Sequence, residues 1–173
     1  MDTITVRLAK AKDAPLLPAV ERSAAQVFLQ LPDLAWIAND RVQTEERHLE
    51  LIEHGAAWVA VNPEDIPIAF LNGKWTDQDL HINEISVQFN YQGKGIGRKM
   101  MNAAREWAES HGCLSITLTT FRDVPWNEGF YRSLGFTTLK SSELTMTLNA
   151  VMKEEADAGL PIEQRCAMSL RLQ

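Results

Sequence analysis

The chain has 173 residues, 45% of them hydrophobic and 23% charged, with a net charge of −6. This is the size and composition of one soluble globular domain, residues 1–173, able to bury a core without staples. The acidic balance argues against nucleic acid as a partner, and no apolar run approaches the length that spans a bilayer.

Thr3 to Ala9 alternates as a first strand. Asp13 is a predicted N-cap, with Pro15 early in a helix running toward Phe28 and Pro18 leaving its start open. Leu31 to Asn39, with Pro32 and Trp36, reads as a loop or a short second helix. Thr44-Glu45-Glu46-Arg47 starts a helix that continues to His54 and stops at Gly55. Ala57 to Val61 is a buried-type strand, Asn62 to Asp65 a turn, and Ile66 to Trp75 the next strand, making a hairpin. Asp77 to Asp79 turns again and Leu80 to Phe89 pairs back. Ile96 to His111 is a helix with an apolar stripe at Met100, Ala104, Trp107 and Ala108, followed by Gly112 at its C′ position. Leu114 to Phe121 is rich in strand formers. Asn127 to Leu134 is a short helix ended by Gly135. Glu143 to Leu148 and Arg165 to Leu172 read as two strands around an acidic helical insert, Lys153 to Ala158. This order predicts an α/β class fold, a mixed α+β sheet with helices on both faces.

Cys113 and Cys166 lie far apart and read as reduced thiols. With no basic-then-apolar start at Met1 to Thr5, the expected location is cytoplasmic. Cys113 follows Gly112 with no histidine motif beside it, so packing is the expected role. His48, His54, His81 and His111 show no ligand spacing, and no metal is expected. From Asn90 to Arg132 the charge is +2, leaving −8 elsewhere. A local basic excess suits a polyanionic ligand.

That window opens on Gln92-Gly93-Lys94-Gly95-Ile96-Gly97, glycines between a strand and a helix. Such a junction leaves backbone N–H groups and the positive end of the helix dipole for phosphate. It is not a P-loop, because Gly95 rather than a hydroxyl residue follows Lys94. It is not a dinucleotide fingerprint either, because Arg98 or Met100 stands at the third glycine position. The spacing is Q-x-x-G-x-G, read on Gln92, Gly95 and Gly97. Together with Glu84-Ile85-Ser86-Val87 before it and Asn127-Glu128-Gly129-Phe130-Tyr131-Arg132-Ser133-Leu134-Gly135-Phe136 after it, this resembles the GNAT superfamily, the GCN5-related N-acetyltransferases. Gln92 stands where many members carry arginine.

The resemblance implies a single-domain GNAT-like acyltransferase fold with splayed central strands, here Leu80–Phe89 and Leu114–Phe121. It implies acetyl-CoA as the acyl donor. Gln92, Gly93, Lys94, Gly95, Ile96, Gly97 and Arg98 would hold its pyrophosphate, and the backbone of Ile85, Ser86 and Val87 its pantetheine. The activity implied is N-acetyl transfer to a primary amine by direct transfer in a ternary complex. A lysine-type amine, with a pKa near ~10.4, must lose a proton before it attacks. Glu84 is the candidate base, with ordered water or a salt-bridged Glu84 as the alternatives. His81, on the opposite strand face, is expected at the surface. The N–H of Val87 would hold the developing oxyanion. Tyr131, a phenol with a pKa near ~10, would protonate the leaving thiolate; its other reading is a packed aromatic. Asn127 would bond the pantetheine or cap its helix. Phe28, Asp33, Trp36, Trp75 and Trp126 would line the acceptor side, for a small-molecule or peptide amine. A homodimer is compatible with this layout. The alternative function is a non-catalytic acyl-CoA-binding sensor or scaffold module.

Overall fold

The computed structural model describes residues 3–76 and 78–173. Seven strands follow one another by hydrogen bonding in the order β1-β2-β3-β4-β5-β7-β6. They are β1 (Thr5–Leu8), β2 (Ala56–Val61), β3 (Pro67–Trp75), β4 (Asp79–Val87), β5 (Ser115–Phe121), β6 (Thr137–Thr138) and β7 (Arg165–Arg171). The β4–β5 ladder is parallel, while β1–β2, β2–β3, β5–β7 and β6–β7 are antiparallel. The α-helices are α1 (Leu17–Ala24), α2 (Glu45–His54), α3 (Ile96–Ser110), α4 (Glu128–Ser133) and α5 (Met146–Asp157). This is the mixed α/β arrangement that the sequence predicts. The chain forms two compact units: the described residues of Met1–Trp75 with Asn83–Trp107, and those of Thr76–Ile82 with Ala108–Gln173.

In the first unit, β2 is buried along its whole length and β3 over its first seven residues. Such strands read as continuous apolar runs because both faces are covered. Leu17 and Val20 of α1 pack on Val59, Val61 and Phe70. On α3, Ile96, Met100, Met101 and Ala104 are buried, whereas Trp107 is half-buried and meets Trp58 and Trp75 edge-on. Thr44 caps α2, its hydroxyl accepting the Arg47 N–H at 3.1 Å. Gly55 ends that helix where any side chain would collide, since a Cβ there would lie 2.5 Å from the Gly73 carbonyl oxygen.

Asp13 is not an N-cap. It sits inside a 3-10 helix, Ala11–Leu16, with its carboxylate buried and gripped by Arg7 of β1 at 2.8 and 3.0 Å. It stands at the third position of that turn instead, where its carboxylate accepts the Lys10 N–H at 2.8 Å as well as the Arg7 guanidinium. Pro18 falls in the first turn of α1, where its missing N–H costs no helical bond. The helix ends at Ala24, short of the predicted Phe28, and tightens into a 3-10 turn, Ala25–Gln30. Leu31–Asn39 takes the helical option, as a 3-10 helix over Pro32–Asn39. In the predicted Asp77–Asp79 turn, Asp77 lies outside the described residues; Asp79 already belongs to β4.

In the second unit, β5 pairs with β7 from Ser115↔Arg171 to Phe121↔Arg165. The predicted strand Glu143–Leu148 is overturned. Thr145 instead caps α5, its hydroxyl accepting the Leu148 N–H at 3.1 Å. A β-branched cap imitates a strand residue in a short window, while its hydroxyl starts a helix. Glu155 of α5 accepts two hydrogen bonds from Arg165, each at 3.1 Å, and one from the Thr119 hydroxyl. That network fastens α5 to β5 and β7.

Candidate active site

The strand β4 ends at Val87 and a 3-10 turn, Phe89–Tyr91, leads to Gln92. The Gln92 side-chain amide donates to the Val87 carbonyl at 2.9 Å and to the Ala24 carbonyl at 3.2 Å. One side chain thereby fixes the glycine loop against the strand end and the end of α1. Gly93 and Gly95 follow with φ of 76° and 81°, a left-handed backbone that glycine adopts without strain. A Cβ built on either would meet no heavy atom within 4 Å. The space directly over this backbone is therefore open, and α3 begins immediately afterwards at Ile96. Lys94 and Arg98 are exposed, and the Lys94 ammonium lies 5.5 Å from the centroid of the Tyr91 ring. Gly97 is half-buried in the first turn of α3.

On β4, Glu84 and Ser86 share a face, and the Ser86 hydroxyl donates to the Glu84 carboxylate at 3.3 Å. Glu84 and Ile85 are half-buried and Ser86 is buried. The β4–β5 ladder, among the described residues, consists of Asp79, Leu80 and His81 against Ser115, Ile116 and Thr117. β4 continues beyond it to Val87.

In the second unit, Tyr131 is 7% exposed and packs edge-on against Phe130 and Phe136. Its N–H donates to the Asn127 carbonyl at 3.1 Å. Asn127 occupies the N-cap position of α4, but its side chain makes no cap hydrogen bond. The capping role considered for that side chain is therefore not the one it plays. His81 is not a surface histidine: it is half-buried, with Nδ1 2.9 Å from the Thr117 hydroxyl. Burial pulls its pKa below the usual value, against the pull of Glu155 and Asp79. Both cysteines are buried and free; burial raises the Cys113 thiol, and burial with nearby Glu128 pushes Cys166 up to about 11. Neither is poised as a nucleophile.

Of the residues expected to line the acceptor side, Phe28 is half-buried in the 3-10 turn after α1, and Asp33 and Trp36 are exposed on the following one. Trp75 packs on Trp107, with centroids 5.4 Å apart, and Trp126 belongs to the second unit. Among the described residues no group of three His, Cys, Asp or Glu is placed to hold a metal ion.

One group escapes the motif reading. Glu21 stands in α1 between Val20 and Ala24, on the stripe that carries Leu17 toward the core. Burial pushes its carboxyl up to about 7, although the Gln43 N–H and Arg22 pull the other way. The signal was present as a carboxylate on an apolar i, i+3, i+4, i+7 stripe.

The acetyltransferase (GNAT) family model matches residues 25–136 of this chain. The thialysine N-epsilon-acetyltransferase of Mus musculus is 31% identical over 77 residues, which are 43% of this chain and 44% of the mouse enzyme. The chain thus matches less than half the length of that relative. Two solved structures share the fold at low identity. The PaiA N-acetyltransferase of Thermoplasma acidophilum, in complex with coenzyme A, has a TM-score of 0.73 at 16% identity, covering 98% of this chain and 99% of that one. The ribosomal-protein-S18-alanine N-acetyltransferase of Escherichia coli has a TM-score of 0.71 at 15% identity, covering 99% and 95%. The chain belongs to the GNAT acetyltransferase family.

Proposed function

We propose that this chain, as one functional domain, is an acetyl-CoA-dependent N-acetyltransferase that acetylates a primary amine by direct transfer. The observation that carries the reading is the open left-handed backbone at Gly93 and Gly95, ahead of α3 and pinned through Gln92 to Val87. Backbone amides at a helix start suit a diphosphate, and a side chain at either glycine would occupy that space. Lys94 and Arg98 add positive charge beside it. When bound, acetyl-CoA supplies an activated thioester.

The chain's own groups have three tasks. Backbone N–H donors at the end of β4, that of Val87 first, hold negative charge as it develops on the carbonyl oxygen. Glu84, or water ordered by it and Ser86, takes the proton from the amine. Tyr131 gives its phenolic proton to the departing sulfur. Ile85 and Ser86 offer sheet-like main-chain partners, and Asn127, with its side chain not used as a cap, is available to the pantetheine. The mouse relative is named for the Nε amine of thialysine. Amine acceptors of small-molecule or peptide type belong to the same reading, as does residence in the cytoplasm with both thiols reduced.

The test is thiol release from acetyl-CoA across a panel of primary amines. Release that depends on the amine is the expected result. Tight binding of coenzyme A with no release for any amine would replace the transferase by an acyl-CoA-binding module. Stabilisation by ATP or NAD with none by coenzyme A would remove the loop assignment itself.

A further inference from the structure

Glu21, Gln43 and Asn72 form one connected polar group in the first unit. The Gln43 backbone N–H donates to both Glu21 carboxylate oxygens, at 3.1 and 3.3 Å. The side-chain oxygen of the same Gln43 accepts from Asn72 Nδ2 at 3.0 Å. Asn72, in β3, is 2% exposed, and its Oδ1 has no hydrogen-bond partner among the described residues. A buried acceptor without a donor is costly, and so is a half-buried carboxylate without a cation. Among the described residues no Lys, Arg or His forms an ion pair with Glu21.

Within this connected group the unfilled capacity is that of acceptors. A carboxylate and an amide oxygen both accept, so the missing species donates, and the carboxylate makes a positive donor the better one. A primary ammonium carries three N–H donors and a full charge. His48 is the neighbouring titratable group, and both its ring nitrogens are buried without a partner among the described residues. His48 lies edge-on to Phe70, with ring centroids 4.8 Å apart, and Phe70 shares its face of β3 with Asn72. Burial lowers His48 to about 4, so it is neutral at pH 7 and adds no repulsion.

We propose that Glu21, Gln43 and Asn72 form an anchoring site for a primary ammonium that the acceptor carries in addition to the amine that is acetylated. The proposal rests on the transferase reading and narrows its substrate class to diamines and to molecules with two separated amino groups. The two amines have opposite needs. The reacting one must be neutral to attack, while the anchored one must stay charged to be held. Glu21 serves the second need and has no part in the proton transfer assigned to Glu84 or water. Gln43 positions both ends of the site, its main chain on Glu21 and its side chain on Asn72.

The matched probes are 1,5-diaminopentane and 1-aminohexane, equal in length and differing by an ammonium against a methyl group. Calorimetric titration of the full chain without acetyl-CoA tests the anchor alone. Wild type should bind the diamine about 10- to 100-fold more tightly than does Glu21→Gln, the usual scale for losing a charge-assisted hydrogen bond. Asn72→Leu, which removes the orphan oxygen without changing any charge, should weaken binding in the same direction. Thermal melting shows that each variant is folded. In turnover, the wild-type preference for the diamine should appear as a lower KM, and Glu21→Gln should erase it. Equal diamine affinity in wild type and Glu21→Gln overturns the anchor, and transfer to either probe would still uphold the transferase. Selective diamine binding with no thiol release from either probe has the opposite meaning: the ammonium site stands and the transferase reading falls. No diamine binding by wild type overturns the proposal outright.

Discussion

Replacing Glu21 by glutamine should make the folded chain more stable, and increasingly so as pH rises. A free glutamate of this kind titrates at 4.5, and in the fold burial raises it to about 7. A rise from 4.5 to about 7 corresponds to about 3 kcal/mol between the two protonation states. A raised carboxyl favours the folded state fully below its unfolded pKa, and that contribution is lost as pH climbs through the folded value. At pH 5.5 about 1.4 kcal/mol of this is expressed. By pH 8 the whole shift is expressed, about 3 kcal/mol. The substituted amide would keep an oxygen for the Gln43 N–H and carry no charge at any pH. The stability difference between variant and wild type should therefore grow by about 3 kcal/mol between pH 4 and pH 8. Urea denaturation at pH 4, 5.5 and 8 measures it, provided the m-value is unchanged. A pH-independent difference, or one that shrinks toward pH 8, would show that the carboxylate is solvated and would refute the reasoning.

Tyr131→Phe keeps the packed ring against Phe130 and Phe136 but removes the proton donor. Turnover should fall by about 10²-fold or more with coenzyme A affinity nearly intact; unchanged kcat would leave Tyr131 as packing alone. Gly95→Val puts a branched side chain on a residue with φ of 81° in otherwise open space. Coenzyme A affinity measured by calorimetry should collapse, and retention would reduce the loop to a helix start. Asp13→Asn weakens a part-buried pair with Arg7, which keeps Asp65 at 3.0 Å, and should cost about 2 kcal/mol, read by urea denaturation at pH 7. Burial alone would raise Asp13, but Arg7 and the Lys10 N–H pull it below 3.8. Its stabilisation is therefore present above 3.8 and lost as pH falls through the lower folded value, so the gap between wild type and Asp13→Asn should narrow in acid.

The parts of the fold legible in the sequence are those whose local signals agree with their tertiary setting. Thr44 caps and Gly55 ends α2 because capping chemistry and close backbone approach demand those residue types. The glycine loop was legible for the same reason, since left-handed backbone at Gly93 and Gly95 leaves a compositional mark. Legibility failed where a residue type carries two readings or where a partner on another element decides. Asp13 is held by Arg7 of β1, a strand-to-turn pairing that capping patterns do not encode. Thr145 starts a helix with a residue whose branching suggests a strand. His81 looks like a surface residue until Thr117 of β5 is brought within 2.9 Å. The glycine loop proposed to hold the donor depends on main-chain geometry, which motifs record. The proposed ammonium anchor draws on side chains from α1, the segment before α2, and β3, which share no spacing rule.

The Glu21 group also bears on why such an arrangement persists in a marginally stable fold. About 3 kcal/mol is a large fraction of a domain's ordinary ~5–15 kcal/mol of stability. A glutamine would fit the same place, keep the Gln43 bond and avoid the ionisation penalty. The penalty is removed when a cation pairs with the carboxylate, because that returns the titration of Glu21 toward the ordinary range. The ligand that satisfies the site therefore also relieves the fold, and its binding should flatten the wild-type pH profile toward that of Glu21→Gln. Binding and stability are then two readings of one carboxylate, and a variant that separates them would show that they have different causes.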